Sequence, residues 1–124
     1  DDVFFAPHSR HTNVRRQDFV NTRHLRVLAE SAVAGTYIVS TADHRQIFVT
    51  GHPEYDRLTL SREYLRDYEK GLDVQLPVNY FPNNNSLGTP ILKWRSHAVL
   101  LFQNWLNLVY QATPFDLRAL EPID

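Results

Sequence analysis

The sequence has no cysteine and no methionine, and it has only four glycines in 124 residues. Without cysteine, these residues can contain no disulfide, no thiolate metal site and no cysteine nucleophile. No apolar run reaches the roughly 18 residues that a transmembrane helix needs, so no membrane partner is expected. The net charge is −1, which provides no field to attract nucleic acid or an anionic membrane.

The remaining composition is that of a packed globular domain, with 43% hydrophobic and 22% charged residues. A length of 124 residues fits one domain with a sizeable core. The chain begins on Asp1 and runs almost at once into the apolar residues 3–6. Because a free N-terminus is usually polar and frayed, we expect this chain to be a fragment of a longer protein.

Apolar runs rich in β-branched and aromatic residues predict four strands, at 3–6, 25–30, 37–40 and 46–50. The last two are expected to form a hairpin. Apolar residues at helical spacing predict helices over 14–20, 59–70 and 92–111. A segment rich in proline and asparagine, 72–90, is predicted to be a long loop. This pattern indicates an α/β fold with a mixed sheet and flanking helices, and resembles half of a domain more than a whole one.

The last predicted helix carries a nearly complete apolar stripe. Its members recur every three or four residues: Trp94, Ala98, Leu101, Phe102, Trp105, Leu108 and Val109. Such a stripe is typical of a helix that packs one face against the core. We therefore expect both tryptophans to be core residues.

The strongest local signal for chemistry is segment 48–56 (FVTGHPEYD). An apolar strand leads to His52, and Glu54 follows two residues later, at the strand end where α/β proteins collect catalytic groups. A carboxylate bonded to one imidazole nitrogen fixes the tautomer and leaves the other nitrogen as a general base. The pattern is short, and it also suits a histidine that only caps a turn.

Residues 51–56 (GHPEYD) resemble the His-Pro-Glu segment of the class I glutamine amidotransferase-like superfamily. They are most similar to the homoserine O-acyltransferases within it. Further segments of that family have counterparts here in the same order: 5–10 (FAPHSR), 79–82 (NYFP), 94–97 (WRSH), 100–102 (LLF), 104–107 (NWLN) and 110–117 (YQATPFDL). The resemblance therefore extends over essentially the whole chain.

The resemblance implies that residues 1–124 are the C-terminal part of a single flavodoxin-like, three-layer domain. The missing N-terminal part would hold the catalytic cysteine, so the fragment alone is expected to be inactive. The implied reaction transfers a succinyl or acetyl group from acyl-CoA to the hydroxyl of L-homoserine, in methionine biosynthesis. The resemblance further implies a cytoplasmic homodimer with no cofactor besides the acyl-CoA co-substrate.

The resemblance also assigns site residues. It implies that His52 is the catalytic base, that Glu54 orients it, and that Ser9 and Arg66 contact the amino-acid substrate. A guanidinium on a helix after the base is also suited to pairing with an α-carboxylate. Glu63 lies three residues before Arg66 on the same predicted helix face. It either meets the ammonium group of the substrate or pairs with Arg66.

Other polar and aromatic residues carry weaker signals. We interpret His8 and His97 as structural hydrogen-bonding residues. No histidine pair has metal-ligand spacing with supporting carboxylates, so no metal is expected. Tyr80 and Phe81, in the long loop, are candidates for a lid or an interface anchor.

Three alternatives stay open. Serine could replace homoserine as the acceptor within the same family. A glutaminase subunit of an amidotransferase shares the His-x-Glu geometry, although Arg66 and the C-terminal helix segments argue against it. The chain could also be a non-catalytic module that binds an amino acid or a partner chain.

Overall fold

The computed structural model describes residues 3–19 and 21–119, which contain a three-stranded sheet and two α-helices. The strands are β1 (Leu25–Ser31), β2 (Gly35–Thr41) and β3 (Ile47–Val49), and the helices are α1 (Thr59–Glu69) and α2 (Arg95–Ala112). Short 3₁₀ turns lie at Arg16–Phe19, Pro82–Asn84 and Leu117–Ala119. No helix among the described residues is long and apolar enough to cross a bilayer.

The sheet is two successive hairpins in the order β1-β2-β3, with β2 in the centre. Val39 is paired with Val27 on one side and with Phe48 on the other, and it is almost fully buried. The first hairpin turns into Gly35, whose φ of +71° favours glycine. A Cβ there would also collide with the Asn13 side chain, so the turn packs closely against the preceding segment.

The structure confirms three of the predicted strands within a few residues, those at 25–30, 37–40 and 46–50, and also the hairpin between the last two. It likewise confirms the helices predicted at 59–70 and 92–111. The apolar run 3–6 is not a strand, and the predicted helix over 14–20 is one 3₁₀ turn at Arg16–Phe19, with Val20 outside the described residues. The described sheet is antiparallel throughout, so the mixed sheet is not found in this part of the chain. Short connections join these strands, whereas parallel pairing needs a long crossover.

An aromatic cluster joins the two helices. Leu60 of α1 packs with Tyr80, Phe81 and Trp94, all of them buried. The Tyr80 hydroxyl accepts the Ser61 N–H at 3.1 Å and thereby attaches the long loop to the first turn of α1. Tyr80 and Phe81 are therefore core residues of this chain, with exposed fractions of 4% and 5%.

The apolar stripe of α2 is buried only at its N-terminal end. Trp94 and Ala98 are buried, whereas Phe102 and Trp105 are 44% and 47% exposed. The prediction that Trp105 is a core residue is therefore wrong for this chain, because no described element covers this part of the helix. The rest of the stripe lines an open cavity of about 1600 Å³ between α2 and the β2–β3 hairpin. We call this cavity the hairpin–helix groove.

Candidate active site

The segment that follows β3 is held between the sheet and the chain near Pro7. The His52 N–H donates to the Pro7 carbonyl at 2.8 Å, and the Thr50 N–H donates to the Tyr37 carbonyl at 2.9 Å. A Cβ at Gly51 would lie 2.8 Å from the Pro7 carbonyl oxygen and 2.7 Å from the Tyr37 ring. Glycine is thus needed here for space, and the close approach positions His52.

His52 and Glu54 form the pair that the sequence indicated. Nδ1 of His52 lies 2.9 Å from Oε1 of Glu54, and Pro53 between them is buried. A carboxylate accepts a hydrogen bond from a protonated Nδ1, so this contact favours the tautomer in which Nε2 is the basic nitrogen. The side chains are 36% and 57% exposed, and both border the hairpin–helix groove.

Tyr55 is the central residue that sequence reasoning missed. Its ring stacks on the His52 ring, with centroids 4.3 Å apart and planes 13° from parallel. Its hydroxyl donates to Oε1 of Glu63 at 2.9 Å, and its carbonyl accepts the Trp94 indole N–H at 3.0 Å. Its place directly after the His-Pro-Glu triplet is the one signal in the sequence, but the direction of the ring cannot be read from it.

The environment keeps the Tyr55 hydroxyl protonated. Burial raises the pKa of Tyr55 to about 12, and the hydrogen bond to Glu63 and the negative charges of Glu63 and Glu54 act in the same direction. The polar Ser9 hydroxyl nearby opposes this shift, which makes Ser9 a neighbour of the phenol. The phenol is therefore a hydrogen-bond donor throughout the neutral range.

Glu63 projects from α1 to the same place. Oε1 accepts the Tyr55 hydroxyl, while Oε2 is buried and has no hydrogen-bond partner among the described residues. A buried carboxylate oxygen without a partner is costly, so it is suited to a ligand that donates a hydrogen bond. The alternative that Glu63 pairs with Arg66 is not found among the described residues, where Arg66 pairs with Asp67 and Glu63 with Tyr55.

Arg66 is bound by its neighbour Asp67. Its Nε and Nη2 donate to the two carboxylate oxygens of Asp67 at 2.7 and 2.9 Å. This pairing raises the pKa of Arg66, and the more distant charges of Glu63 and Tyr55 add to the shift. The guanidinium has five N–H donors, so two hydrogen bonds leave others available for a substrate carboxylate.

The five predicted residues are thus brought to one region around Tyr55. The ring stacks on His52 and the hydroxyl donates to Glu63, while Ser9 and Arg66 are near enough to act on this group electrostatically. Glu54 joins the group through its bond to His52. The roles that we assign to these residues remain predictions, but their proximity is a property of the fold.

Arg10 attaches the Ser9 segment to the sheet. Its Nη1 donates to the carbonyls of Thr36 at 3.3 Å and of Thr50 at 3.1 Å, and its Nη2 donates to the Ala34 carbonyl. Thr50 lies two residues before His52. Arg10 therefore connects the strand ends to the chain that carries Ser9.

His8 lies against the edge of the Tyr37 ring, with centroids 5.3 Å apart. Burial, and then the neighbouring Arg10 guanidinium and His52 imidazole, lower the pKa of His8 to about 4. Nδ1 of His8 is buried without a hydrogen-bond partner among the described residues, so the expected structural bond is not found there. His97 does make such a bond, since its Nδ1 accepts the Phe5 N–H at 3.3 Å.

Acidic and histidine side chains do not gather elsewhere in a way that suggests a metal. Within residues 3–19 and 21–119, no group of three or more such side chains is arranged to hold an ion.

Comparison with known proteins gives consistent results over nearly the whole chain. A family model described as homoserine O-succinyltransferase matches residues 1–115. The homoserine O-acetyltransferase of Petrotoga mobilis is 53% identical over 122 residues, which are 98% of this chain and 40% of that protein. The enzyme of the same name from Acetivibrio thermocellus is 54% identical with the same coverage. The one from Thermotoga neapolitana is 56% identical over 121 residues, or 97% of this chain and 40% of its own.

The chain spans about 40% of the length of these curated relatives. The matched region includes the strand end, the His52–Glu54 pair and the helix that carries Glu63 and Arg66. Because the family model covers far more than half of the sequence, this chain belongs to the homoserine O-succinyltransferase family.

Proposed function

We propose that this chain supplies the general base and the amino-acid-binding residues of a homoserine O-acyltransferase. The observation that carries the proposal is the 2.9 Å contact between His52 and Glu54, beside a buried Glu63 oxygen that has no partner among the described residues. A base and a binding site for a cationic group are thus adjacent. An amino acid with a side-chain hydroxyl needs both.

The proposed reaction has two steps. A cysteine thiolate in the preceding part of the longer protein attacks the thioester of acyl-CoA, which forms an acyl-enzyme and releases CoA. In the second step, Nε2 of His52 takes the proton from the substrate hydroxyl as its oxygen attacks the acyl-enzyme. The new ester leaves, the cysteine sulfur is again a thiolate, and the protonated His52 returns its proton to solvent.

The substrate contacts follow from charge. The buried Oε2 of Glu63 accepts a hydrogen bond from the α-ammonium group, and the unused donors of Arg66 bind the α-carboxylate. Asp67 holds the guanidinium by two atoms, so the arginine is already oriented before the substrate arrives. Ser9, next to the Tyr55 phenol, is assigned a further contact with the substrate.

The longer protein is proposed to be a flavodoxin-like, three-layer enzyme of the class I glutamine amidotransferase-like superfamily, with residues 1–124 as the C-terminal part of one domain. Homodimeric assembly, a cytoplasmic location and a role in methionine biosynthesis complete the proposal, and they rest on the family resemblance. No cofactor beyond the acyl-CoA co-substrate is required. The names of these relatives favour acetyl as the transferred group, while the family model carries the name of the succinyl reaction.

The test is an assay of the full-length parent protein with acetyl-CoA and with succinyl-CoA, each against homoserine and serine. We expect CoA release that depends on homoserine and an O-acylhomoserine product identified by mass. Transfer to serine alone would change the acceptor, and ammonia release from glutamine would indicate the amidotransferase alternative. No transfer from either donor to either amino acid would refute the proposal. The 124-residue chain by itself is expected to release no CoA, because it has no thiol to acylate.

A further inference from the structure

We propose that Tyr55 is a positioning residue that orients both the base His52 and the carboxylate Glu63. This inference rests on the proposed function, since it concerns the same site. It assigns separate tasks to the two halves of one side chain, the ring and the hydroxyl.

The ring restricts His52. With planes 13° from parallel and centroids 4.3 Å apart, the phenol covers one face of the imidazole. Rotation of the imidazole about its Cβ–Cγ bond would drive an edge into the tyrosine ring. The stack therefore holds the imidazole in its plane, and within that plane the hydrogen bond to Glu54 selects the orientation in which Nδ1 meets the carboxylate and Nε2 exchanges the proton.

The hydroxyl restricts Glu63. Its bond to Oε1, at 2.9 Å, fixes the carboxylate so that Oε2 is the oxygen left for the substrate. Because burial and nearby negative charge raise the pKa of Tyr55 to about 12, the phenol remains a donor at neutral pH. Loss of the hydroxyl would free Glu63 to rotate and would leave a second oxygen without a partner.

Tyr55 is itself held on two sides. The Trp94 indole N–H donates to its carbonyl at 3.0 Å, and its own N–H donates to the His52 carbonyl at 3.2 Å. Trp94 belongs to the buried aromatic cluster that joins α1 to the long loop. The core of the chain thus sets the position of the tyrosine, and the tyrosine sets the positions of the base and the carboxylate.

The test uses the full-length parent with two substitutions that separate the tasks. Tyr55→Phe keeps the ring and removes the hydroxyl, whereas Tyr55→Leu removes both. Tyr68→Phe is the matched control, because Tyr68 is on α1 and 64% exposed. Acyl-enzyme formation is followed by intact mass, and its discharge is followed at several homoserine concentrations.

We expect Tyr55→Phe to form the acyl-enzyme at the parent rate but to need roughly tenfold more homoserine for half-maximal discharge, since a hydrogen bond to a charged group is lost. Tyr55→Leu should also lower the discharge rate at saturating homoserine. In a Glu63→Gln background, Tyr55→Phe should add less than about a twofold effect, because its hydroxyl acts through the carboxylate. Parent-like behaviour of Tyr55→Phe, or a full effect in the Glu63→Gln background, would overturn the inference.

A spectroscopic readout separates this inference from the proposed function. The ring protons of His52 should show an upfield ring-current shift in the NMR spectrum of the parent and of Tyr55→Phe, and Tyr55→Leu should lose it. A parent that transfers no acyl group but retains this shift would refute the function and leave the stack intact. A parent that is active but lacks the shift would overturn the role of the ring alone.

Discussion

Nδ1 of His52 and Oε1 of Glu54 lie 2.9 Å apart, with only Pro53 between the two residues. The locked φ of proline makes this connection stiff, and the buried Pro53 holds it against the protein. The imidazole is therefore oriented by covalent structure as well as by the carboxylate. An arrangement of this kind prepares a base before the substrate arrives.

The first prediction concerns this pair in the full-length parent. His52→Ala should lower the rate of acyl transfer to homoserine by about 10²–10⁴-fold, which is the usual contribution of a general base. Glu54→Gln should lower it in the same direction by a smaller factor, because the imidazole remains but loses the carboxylate that fixes its tautomer. His24→Ala is the control, since His24 is exposed and outside the site. Steady-state rates with parent-like values for His52→Ala would contradict the assignment.

The second prediction concerns Arg66. Arg66→Lys keeps the positive charge but loses the planar fork that binds a carboxylate through two hydrogen bonds. We expect the activation free energy of acyl transfer to rise by about 2–4 kcal/mol, which lowers the rate by a factor of roughly 30 to 1,000. The loss should fall only on the discharge of the acyl-enzyme to homoserine. Arg62→Lys is the control, because Arg62 is on the same helix, is 70% exposed and has only a 3.9 Å ion pair.

The measurement separates the two half-reactions by following acyl-enzyme formation and its decay independently. If Arg66→Lys slowed acylation and then discharged the acyl group to homoserine at the parent rate, its proposed contact with the substrate would be wrong.

The sequence predicted the contact between His52 and Glu54 better than it predicted the packing around them. The His52–Glu54 contact follows from a local segment of three residues, so its geometry is largely determined by the chain itself. The contact between Tyr55 and Glu63 joins a loop to a helix eight residues later, and it depends on how α1 is placed. Periodicity predicts that α1 exists but not which side chains it brings to the loop.

The apolar stripe of α2 illustrates a second limit. Its spacing predicted correctly that one face of the helix is apolar, and Trp94 and Ala98 are buried as expected. The pattern does not say which partner covers each part of the face. Phe102 and Trp105 have the same spacing and yet are almost half exposed. Residues 3–6 show the same limit, since they are an apolar run that was predicted to be a strand and is not one. An apolar run does not specify a partner strand.

The third prediction is a pH dependence that comes from His8. Its pKa is about 4 in the folded protein and 6.5 for the unperturbed group. The unfolded chain therefore binds a proton that the folded chain does not between these values. Its contribution to stability is intact above about pH 6.5 and is lost as the pH falls towards 4. His8 is half-buried, so solvent screening reduces the full effect to about 1–2 kcal/mol.

The check is the free energy of urea unfolding at pH 7.5 and pH 5 for the full-length parent and for His8→Gln. Glutamine cannot gain the proton, so the variant should lose less stability on acidification. His24→Gln serves as the control, because His24 is exposed. An unchanged difference between the two pH values in His8→Gln would show that His8 does not carry this dependence.

The last prediction concerns the hairpin–helix groove. The groove is lined by partly exposed apolar side chains, among them Phe48 and Val49 on the sheet and Phe102 and Trp105 on α2. Each of these four is between 39% and 49% exposed. Contiguous apolar surface of this kind promotes association, and β3 is an edge strand of the sheet in the described residues. The isolated 124-residue chain should therefore form oligomers or aggregates in light scattering. Trp105→Lys should reduce this association, whereas Val33→Lys, in the turn between β1 and β2, should not, although Val33 is 71% exposed. A monodisperse monomer with a cooperative thermal transition would instead mean that the groove is tolerated in water and that the chain is a self-sufficient domain.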